Sequence, residues 1–120
     1  MSELGQTNCK ACTADTQPLA AEECEALLSG LPGWQVTLQQ GVAQLRKSYL
    51  FGNFNQALDF TNRIGAIADE QDHHPALLTE WGKVTVSWWS HSISGLHRND
   101  FIMAARTDQV SRQCPGLKPA

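Results

Sequence analysis

Hydrophobic positions in this chain alternate between the spacing of a helix and the spacing of a strand. After Pro18 the spacing is helical, carried by Cys24, Leu27, Leu28 and Leu31. Gly30 and Pro32 then end this first segment, because neither residue favours a continuing helix. The pattern therefore predicts a short first helix that begins at Pro18.

Two later stretches alternate hydrophobic and polar residues, which is the pattern of half-buried strands. Residues 34–50 contain such an alternation on both sides of Gln40-Gly41, so they are predicted to form a hairpin. Residues 77–80 predict a short third strand, and Gly82 marks the following turn. The fourth strand is predicted to place Val84, Val86 and Trp88 on one face and Thr85, Ser87 and Trp89 on the other.

Two longer helices complete the pattern. Asn53 with Gln56 resembles a capping box. One hydrophobic face of the second helix is predicted from Phe54, Ala57, Leu58, Thr61, Ile64 and Ala68. That helix should end near Asp72, because Pro75 disfavours a helical backbone at the residue before it. A last helix is predicted to begin within 97–100 and to carry Phe101, Ala104, Ala105 and Val110.

The predicted order of elements is α-β-β-α-β-β-α, which indicates an α+β fold. We expect a four-stranded antiparallel sheet with three helices on one face. Residues 18–112 should form a single domain, preceded by a flexible leader at 1–17 and followed by a frayed tail at 113–120. Because an open sheet leaves two edges that need protection or pairing, a homo-oligomer, either a dimer or a tetramer, is also expected.

Composition narrows the class of protein. The chain has 120 residues, of which 42% are hydrophobic and 18% charged, as expected for a globular domain. Its formal net charge of -3 provides no basic field for nucleic acid or an anionic membrane. No apolar run approaches the ~20 residues of a membrane helix. The N-terminal residues lack the pattern of a signal peptide, so a cytoplasmic protein is predicted.

The four cysteines are expected to remain thiols in a reducing cytoplasm. Cys9 and Cys12 form a C-x-x-C, but no second pair of ligands stands at a spacing typical of zinc sites. A redox motif would need a strand before it and a helix at it, whereas this one lies in a polar leader. We interpret the motif as accidental or structural, with loose metal capture as the alternative.

The most informative polar residues are Asp72-His73-His74-Pro75, His91 and Asp100. Histidine titrates near neutral pH, so three imidazoles in one pocket would suit acid–base chemistry or metal binding. Adjacent histidines at a helix end also favour a third interpretation, in which they complement the helix dipole. His97 is predicted to cap the last helix, with Asp100 as its partner in a capping box.

The register of these residues resembles the signature of the pterin-4a-carbinolamine dehydratases. Asp69 precedes His73-His74-Pro75 by the spacing of that signature, and Trp81, His91 and Asp100 follow at its further positions. The resemblance covers roughly residues 18–112. The segment from Leu78 to His91 is especially similar to bacterial members that accompany phenylalanine hydroxylase. His97 departs from the pattern, because many relatives have Ser or Thr there.

The resemblance implies that the chain removes water from a 4a-hydroxytetrahydropterin and forms a quinonoid dihydropterin. It implies that His73, His74 and His91 are acid–base residues and that Asp100 orients an imidazole. Asp72 and Trp81 are the expected substrate-binding residues, although Asp72 has the weaker claim. No cofactor and no metal are required, and phenylalanine hydroxylase is a possible partner.

Two alternatives remain open at this point. The three histidines and a carboxylate would suit catalytic zinc, although adjacent side chains diverge and rarely bind one ion together. Some members of the resembled family also bind a transcription factor as a dimerisation cofactor, so the chain could instead be a non-enzymatic interaction protein.

Overall fold

A computed structural model describes residues 18–119 and contains the predicted succession of elements. In chain order these are α1 (Ala21–Leu28), β1 (Gln35–Gln39), β2 (Val42–Leu50), α2 (Phe54–Gln71), β3 (Ala76–Glu80), β4 (Lys83–Trp88), a 3₁₀ turn (His91–Ile93) and α3 (Arg98–Gln113). The first helix begins at Ala21 rather than at Pro18. No helix in this part of the chain is long and apolar enough to cross a bilayer.

The four strands form one antiparallel sheet in the order β1-β2-β4-β3. The two central strands place Leu45 opposite Trp88, and Tyr49 opposite Val84. These four side chains are buried under the helices, and the three helices lie on this face of the sheet. The predicted α+β class and strand arrangement are confirmed.

The second helix buries a narrower face than its sequence predicts. Its buried residues are Ala57, Phe60, Ile64 and Ala68, at the i, i+3, i+7 and i+11 positions of one stripe. Phe54 and Leu58 were expected on that face, but they are 43% and 39% exposed. Phe60 was missed, although it is fully buried and packs against Phe51 with 5.2 Å between ring centroids.

The edge strand β1 is also less covered than its alternation suggests. Trp34 is buried beside it, but Val36 and Leu38 are 43% and 72% exposed. The helices α2 and α3 pack mainly over β2, β3 and β4, whereas an open groove lined by Leu28, Val36 and Leu38 separates α1 from β1. An alternating pattern therefore identified the strand correctly, while the extent of burial depended on where the helices end.

Both ends of α2 have local causes. The Asn53 side chain accepts the backbone N–H of Gln56 at 2.9 Å, which caps the first turn. The Gln56 side chain accepts the N–H of Gly52 at 2.8 Å, one residue before the cap that a capping box would use. At the other end Asp72 adopts a left-handed conformation with φ of 51°, which stops the helix as predicted.

The segment after α3 packs against the domain instead of fraying. Cys114 is buried, Leu117 contacts the core, and the Lys118 N–H donates to the Leu50 carbonyl at 2.8 Å. Burial also raises the pKa of the Cys114 thiol, so this cysteine remains a neutral core residue. The predicted leader at 1–17, with its C-x-x-C, lies outside the described residues.

A buried carboxylate fastens the C-terminal half of α3 to the sheet. Asp108 accepts hydrogen bonds from the Trp34 indole at 3.2 Å, from the Lys47 ammonium at 2.8 Å and from the Tyr49 hydroxyl. Burial, followed by the charge of Asp108, raises the pKa of Tyr49 far above its usual range, so this tyrosine stays a neutral donor. Three donors compensate for the loss of hydration of one carboxylate.

We expect Asp108→Ala to lower the free energy of unfolding by ~3–5 kcal/mol, because it leaves a partly buried Lys47 charge without its partner. The matched control is Asp59→Ala, which removes an exposed ion pair with Arg63. That control should change the stability by less than ~0.5 kcal/mol. Urea titration followed by circular dichroism measures both. Equal effects of the two substitutions would contradict this account of Asp108.

Candidate active site

His73 occupies a buried position between a carboxylate and an aromatic ring. Its Nε2 lies 2.6 Å from Asp100 Oδ1, and the ring stacks on Trp88 with 5.9 Å between centroids and 10° between planes. The backbone N–H of His73 donates to Ala68 O at 3.1 Å, which closes the end of α2. The ring is therefore held from two sides and placed by the helix end before it.

Asp100 links His73 to the start of α3. Its Oδ2 accepts the Ser90 hydroxyl at 2.8 Å and the His97 N–H at 2.9 Å, while Oδ1 faces His73. Asp100 is completely buried. His97 Nδ1 accepts the Asn99 N–H at 3.1 Å, so an imidazole supplies the side-chain cap of α3. The predicted capping role of His97 is confirmed.

His74 and His91 lie at the surface beside this buried pair. His74 Nε2 lies 3.0 Å from Asp69 Oδ1, in a pair whose side chains are 53% and 83% exposed. His91 Nε2 lies 3.1 Å from the His74 carbonyl oxygen, and the His91 ring packs on Trp89 with 4.3 Å between centroids. The end of α2 and the turn after β4 thus bring the three histidines together.

The partners of the three rings determine where their protons lie. A carbonyl oxygen only accepts, so His91 Nε2 must carry a proton toward His74 O. An ionised carboxylate also only accepts, and the same assignment follows for His73 beside Asp100 and for His74 beside Asp69. In each neutral ring Nδ1 then carries the lone pair. Nδ1 is the atom of each ring that is suited to exchange a proton with a bound molecule.

The geometry bears on the helix-dipole and the metal-site interpretations of the histidines. The His73 ring interacts with Asp100 and Trp88, while its backbone, not its ring, bonds to the end of α2. Within residues 18–119, no group of three or more His, Cys, Asp or Glu side chains is arranged to hold a metal ion. The Nε2 atoms of the three histidines face separate oxygen acceptors instead of a shared centre.

The two expected substrate-binding residues lie in different places. Asp72 is the exposed C-cap of α2, next to His73 in the chain. Trp81 is 71% exposed and lies in the turn between β3 and β4. The five residues of β3 extend over roughly 17 Å between His74 and that turn, so one chain does not bring Trp81 to the histidines. Its role in binding stays a prediction.

Two residues of this cluster were missed at the sequence level. Ser90 donates to Asp100, and Trp88 supplies the ring under His73. Trp88 had been placed only on one face of the fourth strand with Val84 and Val86, and it is fully buried. A signal for Ser90 existed, since it is a small hydroxyl residue directly between an apolar strand and His91. Its partner Asp100, however, only becomes apparent once the strands and helices are packed.

The family model described as Pterin 4 alpha carbinolamine dehydratase matches residues 17–110. The chain belongs to this family. The match includes the whole cluster of His73, His74, His91 and Asp100, and it extends over every strand and most of α3. The family resemblance identified from the spacing of these residues is therefore confirmed.

Solved structures with the dehydratase fold are similar to this chain. The transcriptional coactivator/pterin dehydratase from Brucella melitensis has a TM-score of 0.71 at 28% identity, covering 78% of this chain and 98% of that one. A pterin dehydratase-like protein described as a RuBisCO assembly factor in the alpha-carboxysome has a TM-score of 0.55 at 22% identity, covering 65% and 88%. The second likeness concerns the fold alone.

We expect Asp100→Asn to lower the free energy of unfolding by ~1.5–3 kcal/mol, because the introduced amide cannot accept from all three donors. Asp69→Asn makes the same chemical change at the exposed His74 pair, and it should cost less than ~0.5 kcal/mol. Chemical denaturation of both variants at neutral pH measures the difference. An equal, small cost at both positions would show that Asp100 does not hold this cluster together.

Proposed function

We propose that this chain catalyses the dehydration of a 4a-hydroxytetrahydropterin to a quinonoid dihydropterin and water. The observation that carries the proposal is the convergence of His73, His74 and His91 beside the buried Asp100. Membership of the dehydratase family supports the substrate class. The reaction breaks the bond between C4a and its hydroxyl oxygen, and it removes a proton from a ring nitrogen as the new double bond forms.

His73 is the better placed general acid. A hydroxyl group leaves poorly as hydroxide, so a proton must reach its oxygen as the bond breaks. Asp100 attracts an imidazolium more strongly than a neutral imidazole, and the face of Trp88 interacts favourably with a cation. Both contacts suit a ring that holds a proton on Nδ1 and then transfers it to the substrate.

His91 and His74 are placed for the complementary roles. In its neutral form His91 donates from Nε2 to the His74 carbonyl, which leaves Nδ1 as an acceptor. The neutral His91 ring can remove the proton from the pterin ring nitrogen. In its protonated form His91 can act as a second acid toward the hydroxyl of the substrate. His74, oriented by Asp69, holds the pterin ring or shares the proton transfer.

Substitution of the histidines tests this proposal. We expect His73→Gln and His91→Ala to reduce the enzyme-catalysed rate by ~10²-fold or more, as for the loss of a positioned acid or base. His73→Gln retains a side-chain N–H toward Asp100, so the fold should survive. Stopped-flow measurement of the decay of a freshly generated 4a-hydroxytetrahydropterin, with and without protein, gives the rates.

The fourth histidine supplies the control for this experiment. His97→Asn keeps a side chain that caps helices well, and it should retain close to full activity. Full activity in both His73→Gln and His91→Ala would refute the assignment of the catalytic residues. If the wild-type chain did not accelerate the decay at all, the non-enzymatic interaction role would be favoured instead.

The proposed reaction suggests where the protein acts. A 4a-hydroxytetrahydropterin is the oxidised form of the pterin that leaves an aromatic amino-acid hydroxylase, so the activity would recycle that cofactor. We therefore propose phenylalanine hydroxylation in the cytoplasm as the setting, with the hydroxylase as a possible partner. A catalytically inactive variant that still restored growth on phenylalanine would indicate a role through protein contacts rather than through catalysis.

We also propose that the chain forms a homo-oligomer, a dimer or a tetramer. The edge strand β1 exposes Val36 and Leu38, and α2 exposes Phe54 and Leu58, all of them large apolar side chains. Strand edges and apolar surfaces of this kind favour pairing between copies. Sedimentation equilibrium at micromolar concentration should give a mass of at least twice 13.2 kDa. A monomeric mass would contradict the proposal.

A further inference from the structure

A buried serine connects the two histidines that the proposed reaction uses most directly. Ser90 is 1% exposed, and its hydroxyl donates to Asp100 Oδ2 at 2.8 Å. Through Asp100 it reaches His73, and through the peptide bond it reaches His91, the next residue in the chain. The mechanism proposed above assigns Ser90 no proton transfer, so its contacts require a separate explanation.

The backbone of Ser90 also closes the turn that carries His91. Its N–H donates to Gly95 O at 2.8 Å, and its carbonyl accepts from Gly95 N at 3.4 Å. Between them the 3₁₀ turn ends at Ser94, which adopts a left-handed conformation with φ of 49°. The turn is therefore closed at its base, and Ser90 is the residue of that base whose side chain reaches the buried carboxylate.

We propose that Ser90 is a positioning residue, which sets the spacing between His73 and His91 by fixing Asp100 against the base of the His91 turn. This inference rests on the proposed dehydratase function. Asp100 Oδ2 has two donors, the Ser90 hydroxyl and the His97 N–H, and only the hydroxyl comes from the β4 side of the site. The Ser90 hydroxyl is therefore the direct polar connection between Asp100 and the chain segment that leads from β4 to His91.

Loss of the Ser90 hydroxyl has a specific geometric consequence. Without the hydroxyl, Oδ2 keeps only the His97 N–H, so the torsion about the Cβ–Cγ bond is less restrained and Oδ1 can shift relative to His73 Nε2. Misplacement of a catalytic group by about 1 Å can cost ~10²-fold in rate. Substrate binding should be less affected, because Ser90 is buried and does not itself contact a bound molecule.

The test compares Ser90→Ala with Ser90→Thr. We expect Ser90→Ala to lower kcat by ~10- to 10²-fold while KM changes by less than about twofold. Ser90→Thr retains the hydroxyl, and it should recover most of kcat. Ser87→Ala is the matched control, since Ser87 is a second buried serine near the end of β4, where it accepts from Arg46 Nε at 3.1 Å on the other face of the sheet.

A second measurement does not depend on activity. The His73 proton that bonds to Asp100 should give a downfield imidazole N–H signal in the proton NMR spectrum of the folded protein. That signal should broaden or shift in Ser90→Ala, persist in Ser90→Thr and remain unchanged in Ser87→Ala. Circular dichroism establishes that each variant is folded before either measurement is made.

The outcomes separate this proposal from the proposed function. If the wild-type chain shows no dehydratase activity, the proposed function fails, and the inference about Ser90 fails with it as a statement about catalysis. If the wild type is active, unchanged kcat and an unchanged imidazole signal in Ser90→Ala would overturn the role of Ser90. An equal loss of kcat in Ser87→Ala would also overturn it, because a general packing effect would then account for both.

Discussion

The hydrogen bonds of Asp100 are the interaction on which both the last helix and the histidine cluster depend. One oxygen of this buried carboxylate faces His73, and the other accepts from Ser90 and from the backbone at the start of α3. Burying a carboxylate away from water costs free energy unless hydrogen-bond donors surround it. The donors here come from α3, from the turn after β4 and from the end of α2, so the same charge that begins a helix also joins three parts of the chain.

A second carboxylate repeats this arrangement two turns further along α3. Asp108 collects its donors from Trp34, Lys47 and Tyr49, and between the two carboxylates Thr107 accepts from the Trp88 indole at 3.0 Å. Polar contacts therefore hold α3 near its start, through Asp100, and in its second half, through Thr107 and Asp108. Side chains carried by rigid elements are held more closely than those on loops, which suits an acid–base site.

The order and type of the elements were predictable from local patterns, but their burial was not. The alternation at Val84, Val86 and Trp88 identified a strand and placed these three residues on one face, which the structure buries. The same reasoning failed for Val36 and Leu38, because exposure there depends on how far the helices extend over the sheet edge. The burial of a hydrophobic residue depends on how helices and strands pack against each other. The spacing of residues along one element does not carry that information.

Most residues of the candidate site were also predictable from the sequence, whereas the contacts between them were not. Spacing alone brought His73, His74, His91 and Asp100 into one hypothesis, because residue types and intervals carry the family signature. The sequence did not indicate which ring nitrogen of each histidine is left available for proton transfer. That choice depends on acceptors such as the backbone carbonyl of His74, which no residue type in the sequence reveals. Ser90 was missed for a related reason, because its importance comes from a partner in another element, the first turn of α3.

The stack between His73 and Trp88 couples the fluorescence of a tryptophan to the protonation of the proposed general acid. The indole is held by its bond to Thr107, and the imidazole lies nearly parallel to it. A protonated imidazole accepts electron density from an excited indole far more readily than a neutral one. The emission of Trp88, one of four tryptophans, should therefore dim when His73 holds two protons, and a fluorescence titration could follow the charge of this buried ring once the other three are replaced.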